Sequence, residues 1–233
     1  MSNARVAAVR LLLNSSSNVH GYGFLDHVEP ELRRFLREAR RVAFVPFAAH
    51  DHNAYVDKVR ERLAAMELEV IGFGELDRAD AIFIGGGNTF RLLKKLYERN
   101  LFTAIRDRVR AGLPYIGSSA GSVVACPTIR TTNDMPIVEP PTLDSFGFIG
   151  FQLNCHYLDP EPDSTHKGET REERLREFHE ENFTPVLGLR EGCMLIVEDG
   201  ATKLAGLKPA RIFRRGEEPF EVEPGTVVDT HLR

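Results

Sequence analysis

The sequence predicts an α/β fold, a mostly parallel sheet flanked by helices, with C-terminal β-hairpins at one edge. Three observations carry this expectation. From Val6 to Cys126, short apolar runs of strand length alternate with longer segments of helical periodicity. Those runs are apolar nearly throughout, as strands covered on both faces require. From Val186 onward the apolar runs are separated only by Gly, Pro and Asp turns, which is hairpin patterning.

Element by element, Val6–Leu13 reads as a strand that leaves the core at Asn14-Ser15-Ser16-Ser17. Leu25–Ala39 carries apolar residues at helical spacing among Glu and Arg, and Val42–Phe47 is a second strand. Ala54–Met66 is helical, with Val56, Val59 and Leu63 on one face. Leu68–Phe73 and Ala81–Ile84 are strands, the latter running into Gly85-Gly86-Gly87. Phe90–Tyr97 and Phe102–Ala111 are helical, and Pro114–Ile116 is a short strand ending at Gly117. Thr128–Pro141, with three prolines and Asn133-Asp134, is a loop. Phe151–Cys155 alternates as a strand, and Arg171–Asn182 is a helix. Val186–Leu189, Met194–Val197, Thr202–Ala205 and Arg211–Phe213 are the closing strands. In parallel sheets, sites gather at the carboxyl ends of the strands. Ser15–Ser17, Ala48–Asp51, Gly85–Thr89 and Gly117–Gly121 should therefore share one rim.

The chain has 233 residues, 42% hydrophobic and 27% charged, with no repeat or linker, so one domain over residues 1–233 is expected. Thirty basic against thirty-four acidic residues leave a net charge of −4, which argues against a nucleic-acid partner. No apolar run reaches the roughly 18 residues of a membrane span, and Arg5 and Arg10 interrupt the N-terminal stretch, which does not read as a signal peptide. Cys126, Cys155 and Cys193 form no Cys-x-x-Cys pair, so a reducing, cytoplasmic compartment is expected.

Gly117-Ser118-Ser119-Ala120-Gly121 is the sharpest local signal. A Gly-x-Ser-x-Gly turn between strand and helix presents its central serine on a tight, strained bend, and the glycines leave room for a substrate carbonyl. Ser119 is then the nucleophile, and the Ala120 amide an oxyanion donor. The bland alternative is a small-residue turn that merely packs a helix on a strand. Gly85-Gly86-Gly87-Asn88-Thr89 offers bare amides at a strand end, or simply a flexible turn, and Asn88 or Thr89 could cap the following helix. It lacks the Gly-Lys-Ser/Thr of a P-loop and the third glycine of a dinucleotide site.

Among eight histidines, His156 ends a strand-like run and should reach the same rim, although a core histidine is the plain alternative. His179 lies on a charged helix and is expected in solvent. His50-Asp51-His52 lacks a third ligand, so no metal is expected. For the acid, Ser119, Asp134, His156 and Ser119, His156, Glu191 are both workable chain orders, and spacing leaves them open. Thr170-x-x-Glu173 is a capping box. Arg171, Leu175 and Phe178 then share one helix face, so Arg171 either reaches inward for a carboxylate or pairs at the surface.

Together with the two Gly-rich turns, the segment Cys126–Val138 and the run His166-Lys167-Gly168-Glu169-Thr170-Arg171-Glu172 resemble the peptidase E family of α-aspartyl dipeptidases. The likeness runs from the Val42 strand to the Glu191 turn. It implies a serine exopeptidase that removes N-terminal aspartate from small acidic dipeptides, needs no cofactor, and works as a monomer or homodimer. It also implies a flavodoxin-related fold like that of class I glutamine amidotransferases, with serine in place of cysteine. Residue by residue, Ser119 is implied as nucleophile and His156 as base, within Asn-Cys-His where the family usually has Asn-Pro-His. Glu191 is favoured as acid with Asp134 second, Gly86 and Ala120 as oxyanion hole, and Arg171 and Asn88 as substrate-binding residues. Related hydrolases of β-aspartyl polymers or esters, and a non-catalytic binder on the same scaffold, are the rival readings.

Overall fold

The computed structural model describes residues 9–160 and 168–232. Val6, Ala7 and Ala8 of the first expected strand, and His166 and Lys167, lie outside these residues. Eleven strands are described: β1 (Leu11–Asn14), β2 (Arg41–Val45), β3 (Glu69–Gly72), β4 (Ala81–Ile84), β5 (Tyr115–Ser118), β6 (Gln152–Cys155), β7 (Val186–Leu189), β8 (Cys193–Glu198), β9 (Ala201–Gly206), β10 (Ala210–Phe213) and β11 (Phe220–Val222). The helices are α1 (Glu29–Leu36), α2 (His52–Ala64), α3 (Thr89–Glu98), α4 (Leu101–Arg110), α5 (Ala120–Val123) and α6 (Arg171–Glu181). No described helix is long and apolar enough to cross a membrane.

The main sheet has the order β3-β2-β4-β5-β1-β8-β9. Its first five strands are parallel, and the β8–β9 hairpin closes one edge antiparallel. Side chains alternate across the sheet. Leu12, Val42, Phe44, Ala81, Phe83 and Ile116 pack under α1 and α2. Leu11, Leu13, Ala43, Val45, Ile82 and Ile84 pack under α3, α4 and α5. Burial on both faces is why these strands are apolar without interruption.

The remaining closing strands do not extend this edge. They form a second, four-stranded sheet of order β11-β10-β7-β6, a division that hairpin patterning alone does not reveal. Leu153, Leu187, Leu189 and Ile212 turn one face of it onto the α3–α5 side of the core. Its other face receives α6 through Tyr157, Val186, Phe213 and Leu175. His179, expected in solvent, lies four residues after Leu175 and so turns inward with it. It is 6% exposed and its Nε2 donates to the Thr184 carbonyl at 3.1 Å. Burial holds its pKa below the usual value.

The β5–α5 turn sits unusually close to β4. A Cβ on Gly121 would lie 2.0 Å from the Ile84 carbonyl oxygen, and one on Gly117 would lie 2.6 Å from the Gly121 carbonyl oxygen. Both obstacles are backbone, so neither yields to a side-chain rotation. Gly121→Ala is expected to cost about 3 kcal/mol, seen as a Tm roughly 6–12 °C lower in thermal unfolding.

Candidate active site

That tight turn shapes the candidate nucleophile. Ser119, at its apex, has φ 53° and ψ −112°, a conformation that costs an L-residue on the order of 1–3 kcal/mol. Surrounding hydrogen bonds hold it there. The Ser119 amide (3.0 Å) and the Ser122 hydroxyl (2.7 Å) both donate to the Asn14 carbonyl at the end of β1. The buried Tyr115 hydroxyl donates to the Gly121 carbonyl at 2.5 Å. Ser118 is turned away, its hydroxyl 2.6 Å from that of Ser17. Ser119 is thus the serine offered to the cleft.

The second sheet supplies the other two groups. β6 and β7 are parallel neighbours with Cys155 opposite Leu189, so the residues just past each strand emerge side by side. These are His156 and Glu191. Ser119 Oγ donates to His156 Nε2 at 2.8 Å, and His156 Nδ1 donates to Glu191 Oε1 at 2.7 Å. Ser15 joins the two sheets at this point: its hydroxyl donates to the Leu189 carbonyl at 2.7 Å and accepts from the His156 amide at 2.9 Å. Sequence reasoning left Ser15 as an unassigned rim residue. Its position directly after a strand was the available signal.

Asp134 is not on the imidazole. Its Oδ2 accepts from the Thr89 amide (2.8 Å), the Thr89 hydroxyl (2.6 Å) and the Thr132 hydroxyl (3.1 Å), while Oδ1 has no partner among the described residues. The Thr128–Pro141 segment carries it there. Asn154 Nδ2 donates to the Thr131 carbonyl and to Asn133 Oδ1, and Asn133 Nδ2 donates to the Cys155 carbonyl, tying the segment to β6. Asn88 caps α3 by accepting from the Arg91 amide at 3.0 Å, and its Nδ2 donates to the Met135 carbonyl at 2.8 Å. Its amide is therefore spent on holding the loop and helix rather than presented to the cleft.

A cleft of about 500 Å³ opens over these groups, lined by residues from all four predicted rim segments, including Ser17, Ala49, Gly86, Gly87 and Ser119, with Asp134 and His156 beside them. The Gly86 amide, expected in the oxyanion hole, instead donates to the Tyr55 hydroxyl at 2.9 Å and is already satisfied. The Gly87 and Ala120 amides have no acceptor among the described residues. Gly87 has φ 136°, and a Cβ there would lie 2.4 Å from the Ala48 carbonyl oxygen, so only glycine brings this amide to the cleft. Tyr55, missed in the sequence although it lies one turn before buried Val59, packs its ring against Gly85, where a Cβ would meet it at 2.6 Å. Burial raises the phenol pKa, so the hydroxyl keeps its proton.

The thiols are out of contention. Burial pushes Cys126 up to about 12 and Cys155 well above its ordinary value. In His50-Asp51-His52, His52 packs edge-on to Phe47 while Asp51 caps α2. Arg171 opens α6 behind the capping box of Thr170 and Glu173. It is half-buried, is not among the residues lining the cleft, and has no carboxylate partner among the described residues, whereas Arg174 and Arg176 pair with Glu169 and Glu172.

Comparison with known proteins gives the family. The model of peptidase family S51 matches residues 11–205. The chain belongs to peptidase family S51. It is 53% identical to peptidase E of Streptomyces coelicolor over 94% of this chain and 93% of that one. It is 45% identical to a probable α-aspartyl dipeptidase of Drosophila melanogaster, covering 94% and 95% of the two chains. The crystal structure of a peptidase from an acI-B1 actinobacterium superposes with a TM-score of 0.70 at 15% identity, over 94% of this chain and 96% of that one, which shows the shared fold.

In this S51 chain the two candidate acids separate by experiment. Glu191→Gln should slow labelling of Ser119 by a fluorophosphonate about 10²–10⁴-fold, because the imidazole loses its orienting carboxylate. Asp134→Asn should slow it far less.

Proposed function

We propose that this chain is a serine exopeptidase that hydrolyses dipeptides with an N-terminal aspartate through an acyl-enzyme on Ser119. The observation that carries the reading is the chain of hydrogen bonds from Ser119 through His156 to Glu191, at 2.8 and 2.7 Å, above a strained strand-to-helix turn. The named relatives supply the substrate class: peptidase E and an α-aspartyl dipeptidase.

In the first half-reaction Ser119 Oγ bonds to the carbonyl carbon of the aspartyl residue while its proton passes to His156 Nε2. Glu191 holds the Nδ1–H tautomer and stabilises the imidazolium. The amides of Ala120 and Gly87 receive the oxyanion, each contributing on the order of 3 kcal/mol by analogy with other oxyanion donors. His156 then returns the proton to the leaving amine, and the C–N bond breaks. Water repeats the sequence on the ester, releasing aspartate and restoring Ser119.

An exopeptidase also needs to recognise a free amino terminus. Asp134 suits it: Oδ2 is held by three donors, Oδ1 is open, and the carboxylate lines the cleft. Arg171 suits the aspartyl β-carboxylate. Burial, with Arg174 nearby, lowers its pKa but leaves a guanidinium charged at any working pH, and a half-buried cation favours an incoming carboxylate. The whole reaction fits one domain, and the three free, buried cysteines suit a cytoplasmic location.

Ser119→Ala should reduce Asp-Leu hydrolysis by at least about 10⁴-fold with an unchanged Tm. In the unaltered protein Asp-Leu should turn over, while Asn-Leu, Glu-Leu and N-acetyl-Asp-Leu should not. Undiminished turnover by Ser119→Ala defeats the reading. Arg171→Met should raise KM for Asp-Leu by about 10- to 100-fold, the worth of a charge-assisted pair. A neutral effect makes Arg171 a surface residue.

A further inference from the structure

A free dipeptide carries three charges: an ammonium, the aspartyl β-carboxylate, and the carboxylate of the departing residue. The reading above assigns Asp134 and Arg171 to the first two. The third has a partner on the opposite wall. Lys58 lines the same cleft as Ser119 and Asp134, and among the described residues there it is the one side-chain cation, as Asp134 is the one carboxylate.

The two charges come from opposite faces of the main sheet. Asp134 is bound to the first residue of α3, which packs on one face. Lys58 stands on α2, whose Val59 and Leu63 pack on the other. Ser119 emerges from β5, sandwiched between those layers, so the reacting carbonyl has an anion on one side and a cation on the other. Lys58 is also uncommitted. Its neighbours Asp57 and Arg60 pair with each other, and no described carboxylate lies within 4 Å of its ammonium. The ammonium rests instead 4.3 Å from the centroid of the Phe24 ring, a contact that holds it at the cleft without neutralising it.

We infer that Lys58 reads the C-terminal carboxylate of the leaving residue and so makes the enzyme a dipeptidase rather than a general aminopeptidase for aspartate. The inference rests on the proposed α-aspartyl dipeptidase activity. Phe24 and Tyr55, whose ring centroids are 6.3 Å apart, give the side chain of that residue an apolar wall beside the cation. A longer peptide would place an uncharged amide where the carboxylate belongs and leave Lys58 unanswered.

The test deletes the carboxylate from the substrate and the ammonium from the protein in turn. The unaltered enzyme should prefer Asp-Leu over Asp-Leu-amide by about 10- to 100-fold in kcat/KM, the usual worth of a charge-assisted hydrogen bond. That ratio should fall to near one in Lys58→Met, mostly through KM, and be largely kept in Lys58→Arg. An unaltered enzyme that cleaves both substrates equally overturns the assignment, as does a ratio that survives Lys58→Met. Equal losses on both substrates also overturn it, because Lys58 would then serve the β-carboxylate or the fold. Failure of the activity itself looks different: neither substrate is cleaved by the unaltered enzyme, and both readings fall together.

Discussion

Asn14 and Ser15, at the end of β1, are the joint on which the site depends. The Asn14 carbonyl accepts from the Ser119 amide and from the Ser122 hydroxyl, fixing the nucleophile turn to its neighbouring strand. One residue later, the Ser15 hydroxyl bonds the Leu189 carbonyl and the His156 amide, fixing the ends of β6 and β7 to the same strand. The Ser15 amide also donates to the Cys193 carbonyl at 3.0 Å. Two sheets that share a core but no strand pairing are thereby registered within hydrogen-bonding distance. Catalysis by an aligned serine and histidine tolerates errors of only about an ångström, so this joint helps set the geometry on which the proposed chemistry depends.

The carboxylate end has its own brace. Arg190, immediately before Glu191, makes paired bonds to Asp159 (2.6 and 2.8 Å) and to Glu221 (2.8 and 2.9 Å). Donating hydrogen bonds to Glu221 and then to Asp159 raises its pKa further above an already high value. Asp159 lies three residues past His156, so one guanidinium locks the chain after the base to the turn that bears its acid. Its side chain is only 11% exposed, and planar, bidentate pairing of this kind is what lysine could not reproduce. Exposed single pairs such as Arg60–Asp57 and Arg78–Glu75 contribute little by comparison.

Much of this was legible in the sequence because it is local. Continuous apolar runs, the Gly-rich strand ends, the capping box at Thr170 and the Gly-x-Ser-x-Gly turn are each dictated by neighbours within a few residues, and Ala81–Ile84 was bounded correctly on that ground alone. What was illegible is what depends on pairing at long range. Nothing near Val186 says that it will pair with Gln152 rather than extend the main sheet. The choice between Glu191 and Asp134 turned on that pairing, because it is the Cys155–Leu189 register that sets Glu191 beside His156. The state of the Gly86 amide was illegible for a similar reason. A glycine amide looks free in sequence, and only the arrival of Tyr55, thirty-one residues away, shows it satisfied.

The proposal of a serine rather than a cysteine nucleophile follows from the same balance of burial and support. A cysteine in a suitable environment ionises on its own and needs a base only weakly. Cys126 and Cys155 are instead buried, with their pKa values raised, and Cys126 serves the fold by accepting from the Leu153 amide at 3.2 Å. A serine hydroxyl has no such route to a nucleophile at neutral pH and depends on proton transfer to an oriented imidazole. That requirement explains why so much of the rim, from the Ser15 joint to the Arg190 brace, is devoted to holding His156 and Glu191 in place. It also divides the labour of the cleft. The scaffold positions the proposed proton-transfer chain, and the two charges lining the cleft beside it, Asp134 and Lys58, are the proposed contacts for an acidic peptide that a net charge of −4 would not attract from a distance.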